Sequence, residues 1–328
     1  MRRSDHILGF QDAIWKWFSV HKRTLPWRDL AIKNDTQRAY LVLISEIMLQ
    51  QTQVDRVKIV FNRFIDHFPT LQDLARASNR DVILIWQGMG YNSRALRLRD
   101  AAKTIVALPG STFPKELDQL LSIKGIGPYT ASAIRNFAFH LPTPCIDTNI
   151  RRILHRSFIG PENPDGTWSL GDRALLPLAE EVLSVALEHA PKGMTTADWH
   201  AALMDFGSLV QTKNTPKWKI CPLTERGLMK TTPTAFEKMK AEIDSSARKG
   251  SKEPGREVAG KFIPNRIFRG RIVEVLRTEP TGLTPEQLGR EICIDWERNL
   301  EPWLQKLIKK LVQDKLIAVR KSRVVLAD

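Results

Sequence analysis

Only three cysteines, Cys145, Cys221 and Cys293, occur in the 328 residues, and they are far apart. That number and spacing give no disulfide framework and no tetrahedral metal site. They fit a reducing, intracellular compartment. No apolar run reaches the ~18 residues that a membrane span needs. The amino terminus, MRRSDHILGFQDAIWKWF, lacks the long apolar stretch and small-residue cleavage site of a signal peptide and reads as an amphipathic first helix. Carboxylates are also scarce relative to cations: 36 Asp and Glu against 50 Lys and Arg leave a formal charge of +14. Such an excess suits a polyanionic partner. No alternating strand pattern of useful length interrupts residues 5–228, so helix after helix is expected there.

What is present begins with AYLVLISEIMLQQTQV, residues 39–54. Leu41, Ile44, Met48 and Leu49 recur at helical spacing and predict a buried helix. Glu46 sits in its middle, with Val42, Leu43 and Leu49 as neighbours on the helix surface. Desolvation there is expected to raise the pKa of Glu46. Gln50, Gln51, Thr52 and Gln53 then make a polar end where a core helix would carry leucine.

In LLSIKGIGPYTASAIRNFAF, Gly125 and Gly127 bracket a tight turn and a small-residue helix follows from Thr130. Glycine allows positive φ and close backbone approach. The free N–H groups and positive end of the following helix suit a phosphate. This is the helix-hairpin-helix pattern, which grips a DNA backbone without reading sequence. The bland alternative is an αα-turn with two glycines. Lys124, Gly125, Gly127 and Thr130 are the expected contacts.

In PTPCIDTNIRRIL, Asp147 and Asn149 precede an apolar, basic helical run. They read as helix caps, and N–H donors at a helix start also favour an ionised carboxylate suited to stabilising a cation. One acid in a greasy helix and one on a polar helix start form the pair of environments used to break glycosidic bonds.

After CPLTERGLMK the composition shifts to Lys, Glu, Ser and Thr, and residues 229–262 are expected to be a charged linker, with SSARKGSKEPGREVAG mobile. Residues 263–328 follow as a compact unit. RIFRGRIVEVLRTE predicts one helix. TPEQLGREICI predicts a second, with Thr284 and Gln287 as a capping box and Pro285 at the first helical position. WERNLEPWLQKLIKKLVQDKL predicts a third, and IAVRKSRVVLAD two short strands around a Lys-Ser turn. Three helices and a hairpin suggest a winged-helix-like α+β module, an architecture that serves DNA or protein contact.

SEIMLQQTQV, GMGYNSRA, KGIGPYTASAI, IDTNIRRIL and MDFGSLV, in this order and spacing, resemble the helix-hairpin-helix (HhH-GPD) base-excision glycosylases, most closely the adenine DNA glycosylase (MutY) family, over residues 5–228. The resemblance implies a mainly α, two-lobed all-helical core over 1–228, with the module after it. It implies that Glu46 is the acid that protonates the base and later handles water, and that Asp147 stabilises the oxocarbenium sugar with Asn149 and Tyr129 beside it. Trp27, Arg28, Leu49 and Asp205 correspond to base-pocket residues, Asp205 facing the base. Gln51 and Tyr91 correspond to wedge residues that enter the duplex, with Gln50 and Thr52 as further DNA contacts. A target base must leave the stack to be cut, so the polar end of the Glu46 helix is expected to meet substrate. Where the bifunctional relatives hold a Schiff-base lysine, this chain has Tyr129, which implies a monofunctional enzyme. Lys124 leaves room for a weak secondary lyase activity.

Three departures from the family stand out. The four cluster cysteines are replaced over 208–228 by Gln211, Trp218, Cys221 and Gly227, and one thiolate cannot hold a four-iron cluster. No such cofactor is therefore expected, only a monovalent cation at the hairpin. Trp218 is expected to fill the vacated space, with Lys213, Lys217 and Lys219 keeping a DNA-backbone role. The C-terminal unit does not look like the family's β-rich domain that recognises 8-oxoguanine, which leaves the opposite base open. Asn92 stands where many members have a second tyrosine. The expected activity is removal of adenine opposite 8-oxoguanine or guanine. The alternatives are a thymine or uracil mismatch glycosylase (G·T, G·U) and a non-catalytic DNA-binding protein. Expected partners are double-stranded DNA with a mispaired or oxidised base and downstream abasic-site enzymes. The chain is expected to be a monomer, away from membranes, and cytoplasmic and nucleoid-associated if bacterial.

Overall fold

The computed structural model describes residues 2–28, 32–246 and 253–328; side chains of 244–246 are not included. Helices dominate, as expected. In chain order they are α1 (Arg3–His21), α2 (Asp35–Leu49), α3 (Val54–His67), α4 (Leu71–Arg76), α5 (Asn79–Ile85), α6 (Ser93–Val106), α7 (Leu117–Ser122), α8 (Pro128–Phe137), α9 (Thr148–Leu154), α10 (Asp172–Glu188), α11 (Thr196–Leu209), α12 (Pro222–Glu225), α13 (Pro233–Ser246), α14 (Asn265–Thr278), α15 (Pro285–Ile292) and α16 (Glu301–Gln313). Two antiparallel hairpins complete the chain: β1 (Gly255–Val258) with β2 (Lys261–Pro264), and β3 (Ile317–Arg320) with β4 (Arg323–Leu326).

The chain forms two compact units, each discontinuous in sequence. One comprises Met1–Asp29, Pro114–Leu121 and Ile126–Gly250. Its core joins Phe10, Ile14 and Phe18 of α1 to Ile150 and Ile153 of α9, Val182 of α10, and Trp199 and Phe206 of α11. The first helix is tied to the segment after α12: Nε2 of His6 lies 2.9 Å from the Leu228 carbonyl.

The second unit comprises Leu30–Phe113, Ser122–Gly125 and Ser251–Asp328. Its α14–α16 and β3–β4 follow the order expected for the C-terminal module. Thr284 and Gln287 form the capping box, each side chain bonding the other's backbone N–H, with Pro285 at the first helical position. Lys321 and Ser322 take positive φ at the turn between β3 and β4. Phe268, Ile272, Leu288, Leu304 and Leu311 form the module core, and Ile83 and Leu96 belong to the same cluster. Arg277 donates to the Ile83 carbonyl at 3.0 Å and to the Asn92 Oδ1 at 3.0 Å, so the module is joined to α5 and the start of α6 by packing and by directed bonds.

The segment expected as a linker carries more structure than its composition implied. Residues 233–246 form α13, because Phe236 and Met239, one helical turn apart, are both buried. Residues 255–264 form the β1–β2 hairpin. Residues 247–252 of the expected linker lie outside the described residues. Among the described residues no helix is long and apolar enough to cross a membrane.

Candidate active site

Glu46 lies in α2, which starts at Asn34, whose side chain accepts from the Gln37 N–H. As the sequence suggested, Glu46 is buried among Val42, Leu43, Ile47 and Met48. After Leu49 the helix stops and the chain turns: Gln51 has φ of +55°, and Tyr91, in the loop before α6, has φ of +45°. Positive φ is uncommon for side-chain-bearing residues and must be held in place. One buried arginine holds both. The guanidinium of Arg94 donates to the carbonyls of Ile47 (2.9 Å), Met48 (3.1 Å) and Gln50, to the Thr52 Oγ1 (3.0 Å), and to the Met89 carbonyl (3.2 Å). Burial pulls its pKa down to about 10, which leaves it charged at neutral pH. Sequence reading left Arg94 out, because an arginine early in a helix looks solvated. Gln51 and Tyr91 are exposed, while Leu49, Gln50 and Thr52 are half-buried.

At the hairpin, α7 ends at Ser122 and α8 begins at Pro128. Gly125 takes φ of +102°, and a Cβ there would meet the Arg97 carbonyl at 3.5 Å. Gly127 has φ of −93° and is the residue capping α8, with open space over its Cα. Only one of the two glycines is therefore needed for its backbone angle; the other leaves the helix start uncovered. Lys124 is exposed, Tyr129 half-buried and Thr130 buried.

Asp147 and Asn149 lie at the start of α9. Asp147 is the N-cap: its Oδ1 accepts the Ile150 N–H at 2.6 Å and its Oδ2 accepts Nδ2 of Asn149 at 2.9 Å. Asn149 is not a cap but a link. Its Oδ1 accepts Nη2 of Arg152 at 2.6 Å, and Arg152 is fixed by the carbonyls of Gln211 (2.6 Å) and Gly207 (2.8 Å). The expectation that the helix start keeps Asp147 readily ionised needs correction. Burial pushes its carboxyl above the usual range, against the Ile150 N–H, Asn149 and the Arg152 charge, which all pull it down. Desolvation of the charged form outweighs these donors in the protein alone.

Gly207 makes this arrangement possible. A Cβ there would sit 2.6 Å from the Asn149 Cβ and 3.2 Å from its Cα, so only glycine lets α11 approach α9 so closely. Gly207→Ala should cost about 1–3 kcal/mol by overpacking and move Asn149 away from Asp147. Thermal unfolding and single-turnover base release, measured together, check this: the rate should fall even at temperatures where the variant is fully folded.

Asp205 is 0 % exposed, and its oxygens accept from the Arg23 N–H (3.1 Å) and Nε (2.6 Å) and from both terminal nitrogens of Arg28 (2.8 and 2.9 Å). It anchors the LPWR loop, with Arg28 turned onto it and Trp27 buried. Two arginines saturate a carboxylate that a base would otherwise have to compete for.

In the segment where the family's cluster cysteines stand, Gln211 is fully buried and donates to the Cys221 sulfur at 3.3 Å. Arg156, also fully buried, pairs with Glu162 at 2.8 Å, donates to the Gln211 Oε1 (3.3 Å) and the Thr212 carbonyl (2.9 Å), and lies 4.7 Å from the Phe236 ring centre. Trp218 packs edge-on to Phe236, the ring centres 5.6 Å apart. An amide, an indole, a glycine and one thiol do not suit a four-thiolate cluster. Among the described residues no group of three or more His, Cys, Asp or Glu side chains is placed to hold a metal ion.

These features match known proteins. Residues 44–167 match the model of the HhH-GPD superfamily base excision DNA repair protein. An adenine DNA glycosylase of Mycolicibacterium smegmatis is 31% identical over 272 residues, covering 83% of this chain and 82% of the relative. The chain belongs to the adenine DNA glycosylase family. The mouse family member is 36% identical over 220 residues, which cover 66% of this chain; the match spans only 41% of that relative. Among solved structures, a thermostable thymine-DNA glycosylase superposes with a TM-score of 0.59 at 25% identity, over 72% of this chain and 98% of the other. A trapped endonuclease III–DNA covalent intermediate, at 19% identity and a TM-score of 0.53 over 76% of this chain and 100% of the other, shares the fold.

Proposed function

We propose that this protein is a monofunctional DNA glycosylase that hydrolyses the N-glycosidic bond of a flipped adenine mispaired with 8-oxoguanine or guanine. The observation that carries the reading is the Asp147–Asn149–Arg152 chain at the start of α9, which fixes a carboxylate that the fold does not need for an ion pair. Glu46, buried in α2, is the acid. It gives its proton to N7 of adenine, and the electron pair of the breaking C1′–N9 bond flows into the ring. The sugar becomes an oxocarbenium ion, whose positive charge favours the ionised form of Asp147. Water then adds to C1′ and gives a proton to Glu46, leaving free adenine and an abasic site. Tyr129 and Asn149 position Asp147, Trp27 and Leu49 line the base pocket, and Arg28 acts from its anchor on Asp205. No amine occupies position 129, so no Schiff base forms there.

Gln51 and Tyr91 enter the duplex, and Gln50, Thr52, Lys124, Gly125, Gly127 and Thr130 meet the DNA backbone. The enzyme works without an iron–sulfur cluster, its loop held by Arg156, Gln211 and Trp218 in place of metal. Residues 1–228 are the catalytic core and 263–328 a winged-helix-like module.

The likeness to a thymine-DNA glycosylase structure at 25% identity favours a second reading, thymine or uracil removal from mismatches with guanine. Alkaline nicking of A·8-oxoguanine, A·G, T·G and U·G duplexes separates the two. Cleavage of both adenine duplexes and no other is expected. Cleavage of T·G with inert A·8-oxoguanine overturns the first reading, and no cleavage anywhere leaves a DNA-binding protein.

A further inference from the structure

The end of α2, the helix that carries Glu46, meets two loops, and one side chain ties all three together. α2 stops at Leu49, so its last carbonyls have no partner within the helix. At an open helix end water serves such groups. Here the guanidinium of Arg94, 3% exposed, serves them instead. Its Nη1 donates to the carbonyls of Ile47, Met48 and Gln50. Its Nη2 donates to the Thr52 Oγ1 at 3.0 Å and to the carbonyls of Met89 at 3.2 Å and Gly90 at 3.5 Å. The guanidinium carbon also lies 5.6 Å from the Trp86 ring centre and 5.5 Å from that of Tyr91. Trp86, 0% exposed, donates its indole N–H to the Gly90 carbonyl at 3.1 Å. All these residues belong to one compact unit.

Two observations set this apart from an ordinary helix cap. A buried charge loses its hydration, and a glycine after the last turn would satisfy the helix end without that cost. The second concerns the two loops. Gln51 and Tyr91 take positive φ, yet Gln51 is exposed and Tyr91 is 51% exposed. Strained backbone persists only where its surroundings over-determine it, and it gathers at functional sites. The strain here is held for side chains that the core does not use. A guanidinium can serve both loops at once, because its donors form a rigid planar fork; an ammonium is a point charge.

We propose that Arg94 is the positioning residue for base extrusion. It fixes the Gln51 and Tyr91 loops to the end of the acid-bearing helix, so that their entry into the duplex delivers the nucleoside to Glu46. Arg94 acts through these loops and not by contact with the base. The assignment rests on the glycosylase reading above and adds to it a step, before chemistry, that needs the clamp intact.

The test uses the full-length protein and Arg94→Lys, which keeps a positive charge and loses the fork. Extrusion is read from the fluorescence of 2-aminopurine placed at the target position opposite 8-oxoguanine, in a Glu46→Gln background so that the base stays uncut. Single-turnover adenine release is read in the otherwise native protein. Affinity is read on a fully paired duplex, which needs no extrusion. The extruded fraction and the rate of release should both fall by about tenfold to 10²-fold, with affinity for the paired duplex retained. Where Arg94→Lys does not fold at the assay temperature, Trp86→Phe decides: it removes the indole bond to Gly90, and the extruded fraction should fall in the same direction. A folded variant with the native extruded fraction overturns the proposal, whether or not release is slowed. So does an equal loss of extrusion and of paired-duplex affinity, which marks a merely structural role. Each of these leaves the glycosylase reading intact. A native protein that releases adenine opposite neither 8-oxoguanine nor guanine removes that reading, and the proposal with it.

Discussion

Single-turnover release of adenine should fall by about 10²–10⁴-fold in Glu46→Gln and again in Asp147→Asn, with DNA affinity retained. Glutamine keeps the shape of Glu46 in its buried place on α2 but has no proton to deliver. Asparagine at 147 still caps α9, because its carbonyl can accept the Ile150 N–H that Asp147 Oδ1 now accepts at 2.6 Å. The helix start survives, and only the negative charge opposite the forming cation is lost. Gel-shift affinity and rate, measured on the same duplex, separate the two effects. Full turnover in either variant contradicts the roles given to these acids.

The second large effect concerns stability. Asp205→Ala should destabilise the protein by about 3–5 kcal/mol, read from the urea-unfolding transition. The carboxylate is fully buried and neutralises Arg28, whose side chain is only 10% exposed, and Arg23. Its removal leaves two guanidiniums facing an apolar gap. Arg28 also loses the anchor that directs the LPWR loop, so base release should weaken as well. By contrast, Asp5→Asn breaks an exposed ion pair with Arg2 and should change stability by less than about 1 kcal/mol. Equal effects from the two variants would mean that Asp205 is no structural keystone.

The helical core was readable because its signals are local. The apolar spacing of α2, the capping box at Thr284 and Gln287, and the Lys-Ser turn of the last hairpin each declare themselves within a few residues. The burial of Glu46 was readable for the same reason, since a carboxylate in a greasy helix is conspicuous. What hid was the work of the arginines. Arg94, Arg152 and Arg156 gather oxygens from positions 3 to 59 residues away, and no short window of sequence shows that a guanidinium will be buried. The partners of Asp205 were hidden for this reason: Arg23 and Arg28 lie 182 and 177 residues earlier. The charged stretch before the module concealed α13, because Phe236 and Met239 are two apolar residues in a polar segment. The net direction of the Asp147 shift was hidden too, since burial is a property of the folded protein and the cap alone suggests the opposite sign.

The most direct measurement is a crystal structure of the protein on a duplex in which an uncleavable adenosine analogue faces 8-oxoguanine. The expected result is an extruded nucleoside with Glu46 at about 2.6–3.2 Å from the base and the Asp147 carboxylate facing the sugar C1′. A nucleoside that stays in the stack, or one reached by only one of the two acids, would contradict it.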